Sequence, residues 1–329
     1  MSRHNKNYVN IINQIIKQSK NIAIIAHKDP DGDCLGSLLG WRQILYEQYG
    51  KDGKVIEGYV EGEIPDSFKF LSDISTIRST PSDDIYDVVF VLDASDLNRI
   101  GIMNAVFNQA KVTVCIDHHV TNKGFCEINL IDPSASSTGE LVYELAQILD
   151  MQISPKSAEG LYTAILTDTG KFTYNNTSPK TMRYAAEMMD MGILFSEIAS
   201  HIYGSEIQAV YQAKSKIQSN VAFYFGGRLS LAIIERQLLE DHQIKMKDID
   251  GVVETIRDIK GVQVACLIKE VGTDKTKVSL RSKGQVNVSE ISSEFGGGGH
   301  PRAAGFNLEC NLAMSIETVL KAFQNLFGE

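Results

Sequence analysis

Several acidic residues and one histidine are concentrated in one short stretch near the start of the sequence. The segment AHKDPDGDCLGS, residues 26–37, follows the apolar run NIAII and contains His27, Asp29, Asp31 and Asp33. Carboxylates this close together repel one another, and burying each of them costs several kcal/mol unless something compensates the charge. The stretch is therefore either a solvated loop or the binding site of a cation.

Three later segments repeat this pattern of an acid at the end of an apolar run. Asp93 ends the run in YDVVFVLDAS, the triplet Asp117–His119 ends KVTVCIDHH, and Asp168 interrupts the apolar helical pattern of ILTDTGKF. Any one of these acids alone is explained more simply as a helix cap or a turn residue. Oxygen and imidazole ligands without thiolates favour Mn²⁺ or Mg²⁺ over structural zinc. One carboxylate can bridge two such ions roughly 3.5–4 Å apart, as in hydrolytic phosphoryl transfer.

The elements around these residues predict an α/β fold. NIAIIAH, KVIEGYV, YDVVFVLDAS and KVTVCIDHH are typical of buried strands, and CLGSLLGWRQILYEQYG predicts a helix that ends at Gly50. Strands alternating with helices predict a parallel sheet with helices on both faces. Such sheets bind ligands beyond the carboxyl ends of their strands, so the acids and histidines should meet at one edge.

The second half of the chain predicts a helical region followed by a smaller α/β domain. Helical patterns run from about Thr138 to Ser219, and strand patterns return from Val221. We therefore predict a first domain over residues 1–200, a helical linker over 201–220 and a second domain over 221–329.

A run of four glycines in EFGGGGHPRAAGF interrupts the second domain. Four consecutive glycines are unsuited to a helix or a strand, because ordering glycine costs more backbone entropy than ordering any other residue. Their backbone N–H groups can form an anion-binding nest, and His300 and Arg302 stand beside them. The alternative interpretation is a flexible linker.

Composition limits the classes of partner. The 329 residues are enough for two ordinary domains, and the net charge of −9 argues against nonspecific coating of long nucleic acid. The sequence predicts no membrane span and no signal peptide. Five scattered cysteines indicate free thiols in a reducing cytoplasm.

In this order, AHKDPDGDCLGS, VLDASD, IDHH and TDTGKF resemble the DHH phosphoesterase superfamily, and GGGGHPRAAGF resembles the signature of its DHHA-type domain. The resemblance covers nearly the whole chain, and five motifs in order are far more specific than any one of them. Within the superfamily the chain resembles the bacterial nanoRNase group, which are bifunctional oligoribonucleases and phosphoadenosine-phosphate (pAp) phosphatases. The resemblance implies an N-terminal parallel-sheet DHH domain, a smaller C-terminal α/β DHHA-type domain and an active-site cleft between them.

The resemblance also implies roles for individual residues in the first domain. It implies two Mn²⁺ ions, or Mg²⁺, with ligand sets that share one carboxylate: His27, Asp31 and Asp93 for one ion, and Asp33, His118 and Asp168 with Asp93 for the other. Asp117 would orient His118, as carboxylates commonly do for metal-bound imidazoles. His119 would face the substrate phosphate or the leaving oxygen.

For the substrate, the resemblance implies contacts from the second domain across the interdomain cleft. The base and phosphate of the substrate would be bound by Arg281 in SLRSKG and by the glycine loop, which contributes Gly297, Gly298, Gly299 and His300. Lys283 and Arg302 are weaker candidates. An arginine suits this task because its planar guanidinium can form two parallel hydrogen bonds to a phosphate.

The expected reaction is metal-dependent hydrolysis of short RNA to mononucleotides and of pAp to AMP and phosphate. Two divalent cations would bring four positive charges to the site, so the protein need not be basic overall. The sequence has no extended basic or aromatic track, which favours very short oligomers over long strands or duplexes. A homodimer is compatible with the resemblance, since relatives often pair.

Three alternatives remain open at this point. The same ligands would serve a phosphodiesterase of cyclic or linear dinucleotides such as c-di-AMP and pApA. A manganese pyrophosphatase would share the metal-binding half, although GGGGH beside RAAG argues against it. A nucleotide sensor without activity is the third, and the complete ligand set argues against that interpretation.

Overall fold

The computed structural model describes residues 3–204, 206–249 and 251–328. The chain divides into two compact units, Met1–Ser205 and Glu206–Glu329. This division lies within the segment 201–220 that the sequence predicts as a linker.

The first unit is built on a parallel five-stranded sheet with the order β2-β1-β3-β4-β5. The strands are β1 Asn21–Ala26, β2 Val55–Tyr59, β3 Val88–Leu92, β4 Thr113–Asp117 and β5 Ile128–Ile131. Their nearly continuous apolar character follows from burial on both faces, which is usual for parallel sheets. The sequence predicts the first four strands and misses β5, which has four residues and includes Asn129.

Helices cover this sheet on both faces, as the sequence predicts. One face packs against α1 Arg3–Gln18, α2 Gly32–Tyr49, α4 Thr138–Ile148 and α5 Pro155–Asp168. The other face packs against the 3₁₀ segment Leu97–Met103 and the short helix α3 Asn104–Phe107. Helices α6 Pro179–Asp190 and α7 Phe195–Tyr203 complete the unit.

Glycine lets α2 and α5 approach closely and in opposite directions. A Cβ atom on Gly36 would lie 2.3 Å from the carbonyl oxygen of Gly160, and one on Gly32 would lie 2.4 Å from Oγ1 of Thr167. The start of α2 therefore lies beside the end of α5. This contact brings the acid in the first turn of α2, Asp33, toward Asp168 at the last position of α5.

The second unit has a mixed six-stranded sheet with the order β10-β11-β9-β8-β7-β6. The strands are β6 Ala222–Tyr224, β7 Leu229–Ile234, β8 Val264–Gly272, β9 Lys275–Ser282, β10 Gly298–His300 and β11 Ala303–Leu308. Only the β7–β8 pair is parallel among these described strands. The helices are α8 Gln208–Ser219, α9 Arg236–His242, α10 Val252–Arg257, α11 Val288–Glu294 and α12 Leu312–Phe327.

The glycine run corrects one prediction from the sequence. Gly298, Gly299 and His300 do form a strand, β10, which pairs antiparallel with β11. A Cβ on Gly299 would lie 2.4 Å from the carbonyl oxygen of Ala303, and one on Gly297 would lie 2.3 Å from that of Gly305. The absence of side chains therefore permits a close backbone pairing that compensates the entropy cost of ordering glycine.

The described part of the chain contains no helix that is both long and apolar enough to cross a bilayer.

Candidate metal centre

The candidate site lies at the carboxyl edge of the parallel sheet. His27 directly follows β1, Asp93 directly follows β3, and His118 directly follows β4. These three strands are neighbours and run in the same direction, so their carboxyl ends converge. Asp31 caps the N-terminus of α2, and its Oδ1 accepts a hydrogen bond from the backbone N–H of Cys34.

A first group of possible ligands consists of His27, Asp31 and Asp93, whose ligand atoms all lie within 4.8 Å of one another. Nε2 of His27 lies 3.6 Å from Oδ2 of Asp31 and 3.5 Å from Oδ2 of Asp93. Ligands of a single octahedral cation lie about 3 Å apart when each is about 2.1 Å from it. This group therefore needs only small movements to hold one ion.

A second group consists of Asp33, His118 and Asp168, again with ligand atoms within 4.8 Å of one another. Nε2 of His118 lies 3.6 Å from Oδ2 of Asp33 and 3.7 Å from Oδ2 of Asp168. The same nitrogen lies 3.7 Å from Oδ1 of Asp93. The shared acid thus turns Oδ2 toward the first group and Oδ1 toward the second. The structure brings together the six residues that the resemblance groups as ligands; that they hold ions stays a prediction.

The pKa shifts in the two groups reflect a local excess of negative charge. Burial, together with the charges of Asp93 and Asp168, raises the pKa of Asp33 well above its usual range. Burial likewise raises the pKa of Asp168 to about 6. Burial alone would lower the pKa of His27, but hydrogen bonds and charges from Asp31 and Asp93 outweigh it and raise the pKa to about 10. Groups that retain protons in this way are stabilised by positive charge, and carboxylate and imidazole donors suit a hard divalent cation.

Hydrogen bonds orient the possible ligands. Nδ1 of His27 donates to the carbonyl oxygen of Lys28 at 2.8 Å, so Nε2 is the nitrogen that faces the acids. Both oxygens of Asp33 accept backbone N–H groups from the start of α4, at 2.7 Å from Thr138 and 2.9 Å from Gly139. A helix N-terminus favours a carboxylate in this position.

The backbone at Asp93 is unusual. Its φ of 56° lies in the left-handed region, which costs a residue with a side chain about 1–3 kcal/mol. Such strain persists where the surrounding structure holds the residue in place, and here it accompanies the carboxylate that faces both groups.

Asp117 has a different imidazole partner from the one expected. Its Oδ1 lies 2.7 Å from Nδ1 of His119, whereas the resemblance implies that it orients His118. Residues two apart along an extended segment point to the same side, which explains why Asp117 contacts His119 rather than the adjacent residue. His119 also joins Asp93 and His118 in a third group of possible ligands.

Sequence reasoning missed three residues that support the site, namely Asn122, Thr138 and Asn176. Nδ2 of Asn122 donates to Oδ2 of Asp117 at 2.7 Å. Oγ1 of Thr138 donates to Oδ1 of Asp93 at 3.0 Å, and Nδ2 of Asn176 donates to the carbonyl oxygen of Asp168 at 3.1 Å. The segment SSTGE signals a helix N-terminus, but that signal does not reveal which distant acids the helix will meet.

The predicted substrate-binding residues of the second unit lie on neighbouring strands. Arg281 of β9 is paired with Ala303 of β11, which is paired with His300 of β10. Residues directly opposite one another share a face of the sheet, so Arg281 and His300 flank a small residue on one face. Nε of Arg281 donates to Oε1 of Glu254 at 2.8 Å. Arg302 donates through Nη1 to the carbonyl oxygen of Val286 at 2.9 Å.

Acids and imidazoles at the carboxyl edge of a parallel sheet, followed by a mixed-sheet domain, define a DHH-type phosphoesterase. The model of the DHH family, N-terminal domain, matches residues 21–165, and that of the DHHA1 domain matches residues 229–329. The chain belongs to the family of the bifunctional oligoribonuclease and PAP phosphatase NrnA, within the DHH phosphoesterases.

Similar proteins support this assignment over almost the full length. The chain is 33% identical to NrnA of Thermus thermophilus, over 92% of this chain and 88% of that protein. It is 28% identical to NrnA of Bacillus subtilis, over 87% of this chain and 89% of that protein. Its fold is similar to the crystal structure of an exopolyphosphatase-related protein from Bacteroides fragilis, with a TM-score of 0.89, 27% identity and 98% of each chain covered.

Proposed function

We propose that this chain is a metal-dependent phosphoesterase that hydrolyses short oligoribonucleotides to mononucleotides and pAp to AMP and phosphate. Membership of the NrnA family supports this substrate class. The single observation that carries the proposal is the carboxylate of Asp93, whose two oxygens face two separate groups of possible ligands.

The proposed cofactors are two Mn²⁺ ions, with Mg²⁺ as an alternative. The donors for one would be His27, Asp31 and Asp93, and the donors for the other Asp33, His118, Asp168 and the shared Asp93. When bound, such ions neutralise charge on phosphoryl oxygens and make a bound water more acidic. The protein contributes the donors and holds them in a fixed orientation.

Residues beside the ligands would handle the leaving group. The hydrogen bond that Nδ1 of His119 donates to Oδ1 of Asp117 fixes the orientation of the His119 ring. Asp117 is fully buried and is itself held by Asn122, so it can keep the ring in place and stabilise its protonated form. We propose that His119 positions the substrate phosphate or gives a proton to the leaving oxygen. Proton transfer from a positioned side chain typically contributes 10²–10⁴-fold to a rate.

The second unit would bind the nucleotide itself. We propose that Arg281 and His300 contact the substrate together with Gly297–Gly299, and that Arg302 is a weaker contributor. The shared sheet face of Arg281 and His300 supports this assignment. The salt bridge to Glu254 would hold the Arg281 guanidinium ready for a phosphate.

One panel of assays tests the proposal. The full chain would be incubated with Mn²⁺ and, separately, with pAp, labelled RNA of two to about seven nucleotides, c-di-AMP, pApA and pyrophosphate. We expect AMP and phosphate from pAp, mononucleotides from the short RNAs, and loss of both activities on adding a chelator. Hydrolysis of c-di-AMP or pyrophosphate, combined with no hydrolysis of pAp or RNA, would overturn the proposed substrate class. Nucleotide binding without metal-dependent turnover of any substrate would identify a sensor instead.

A further inference from the structure

The first turn of α4 contacts two of the acids in the candidate metal centre. Thr138 begins this helix and is fully buried. Its backbone N–H donates to Oδ2 of Asp33 at 2.7 Å, and its hydroxyl donates to Oδ1 of Asp93 at 3.0 Å. A single residue therefore holds one acid from each group.

The hydroxyl of Thr138 bonds to the oxygen of Asp93 that faces the second group. Oδ1 lies 3.7 Å from Nε2 of His118, and Oδ2 lies 3.5 Å from Nε2 of His27. A carboxylate that serves both groups must keep its plane fixed, because rotation would remove both oxygens from position. Asp93 is only 2% exposed, so water is poorly placed to replace a lost hydrogen bond.

Asn176 makes a comparable contact with an acid of one group only. Its Nδ2 donates to the carbonyl oxygens of Ser136 at 2.8 Å and of Asp168 at 3.1 Å, and lies 3.4 Å from Oδ2 of Asp168. It thereby ties the end of α5 to the segment that enters α4. The preceding residue, Asn175, is exposed and provides a matched comparison.

The segment that carries these contacts is itself held by a buried acid. Oε2 of Glu140 accepts hydrogen bonds from the hydroxyls of Ser136 and Thr181, each at 2.6 Å. Lys180 lies 2.9 Å from Oε1 of the same carboxylate, which is fully buried. The start of α4 is therefore a rigid support for the acids, which is what a positioning role requires.

We propose that Thr138 and Asn176 are positioning residues of the metal centre, Thr138 for the carboxylate shared by both ions and Asn176 for a carboxylate of one ion. This inference rests on the proposed function, because it assumes that the acids hold two cations. It predicts different consequences for the two residues. Loss of the Thr138 hydroxyl weakens the binding of both ions, and loss of the Asn176 amide weakens the binding of one.

The test is a titration of the full chain with Mn²⁺ alone, without substrate, in which free Mn²⁺ is followed by electron paramagnetic resonance. We expect two ions for the wild type. Thr138→Val keeps the shape of the side chain and removes its hydroxyl, and it should lower both affinities about 10–100-fold. Thr138→Ser keeps the hydroxyl and should bind both ions much as the wild type does. Asn176→Ala should lower one affinity by a similar factor, whereas Asn175→Ala should change neither.

The outcomes separate this inference from the proposed function. If the wild type binds two ions and both Thr138→Val and Asn176→Ala bind them with wild-type affinities, the positioning roles are overturned and the proposed function stands. Equal losses of Mn²⁺ affinity in Thr138→Val and Thr138→Ser would overturn the role of the hydroxyl and show that the packing of the side chain matters instead. A wild type that binds no Mn²⁺ would overturn the metal centre itself and the inference with it. Thermal melting of the metal-free variants checks their folding. If Thr138→Val does not fold, Thr138→Ala, which also lacks the hydroxyl, takes its place in the titration beside Thr138→Ser, and Asn176→Ala is compared with Asn175→Ala as before.

Discussion

The two oxygens of Asp93 face different sets of possible ligands, and this makes it unlike the other acids of the site. Oδ2 faces His27, and Oδ1 faces His118. The residue also keeps a left-handed backbone in a buried position. A substitution here should affect both groups, whereas a substitution of any other acid should affect mainly one.

We expect Asp93→Asn to lower hydrolysis of pAp and of a dinucleotide by about a hundredfold or more, because both ions would lose a charged ligand. Initial rates over a range of Mn²⁺ concentrations measure this loss. Asp96→Asn is the matched control, because Asp96 lies in the same loop and accepts a hydrogen bond from the N–H of Asn98 as a helix cap. Retention of a tenth of the wild-type rate by Asp93→Asn would contradict its shared role.

Arg281 is expected to act on the substrate rather than on the ions. Arg281→Ala should raise KM for pAp at least about tenfold, since a charge-assisted contact to phosphate contributes about 1.5–3 kcal/mol. The Mn²⁺ affinity should stay at the wild-type value. Lys277→Ala, which removes an exposed cation from the same strand, serves as the control. An equal fall in Mn²⁺ affinity for Arg281→Ala would show that Arg281 belongs to the metal centre.

At the scale of elements, most of the parallel sheet and its acids could be predicted from the sequence. Strands such as Val88–Leu92 are continuous apolar runs, and their ends reveal which acids share an edge. The short strands β5 and β10 escaped prediction because three or four residues carry too little pattern, and β10 depends on pairing with β11. The contact between Thr138 and Asp33 joins residues 105 positions apart, and no local signal encodes it.

The last two glycines of the run provide a matched test of why β10 lacks side chains at these positions. Gly299 has a φ of +144°, and its Cβ would meet backbone atoms of β11, whereas a Cβ on Gly298 would have nothing within 4 Å. Gly299→Ala should therefore destabilise the protein by about 1–3 kcal/mol in urea denaturation. Gly298→Ala should leave the free energy of unfolding near the wild-type value.

The same pair separates packing from substrate binding. If the substrate approaches the backbone of β10, Gly298→Ala should raise KM for pAp although the protein remains stable. An unchanged KM in this variant would remove Gly298 from the proposed substrate contacts. Stability of Gly299→Ala at the wild-type level would contradict the close pairing of β10 with β11.

At the scale of the whole molecule, the charge distribution favours small substrates. The chain carries a net charge of −9, and the acids of the metal centre are a local part of that excess. Attraction to RNA would thus come from the proposed cations and from a few side chains such as Arg281, not from a broad basic surface. Each additional phosphate beyond the first few would be repelled by a chain of net negative charge.

This argument predicts both a length preference and a weak dependence on salt. Competition between a labelled trinucleotide and a 24-nucleotide RNA at fixed Mn²⁺ should give a higher kcat/KM for the trinucleotide, because the long strand gains no further contacts and its additional phosphates are repelled by a chain of net negative charge. Each phosphate neutralised on a single strand contributes about −0.7 to the slope of log affinity against log salt. Two contacted phosphates therefore predict a slope of about −1.4 for log kcat/KM under conditions where substrate capture limits the rate. A slope steeper than about −4, or a higher kcat/KM for the 24-nucleotide RNA, would require an extended RNA track of about six phosphates and would contradict capture through the terminal nucleotides alone.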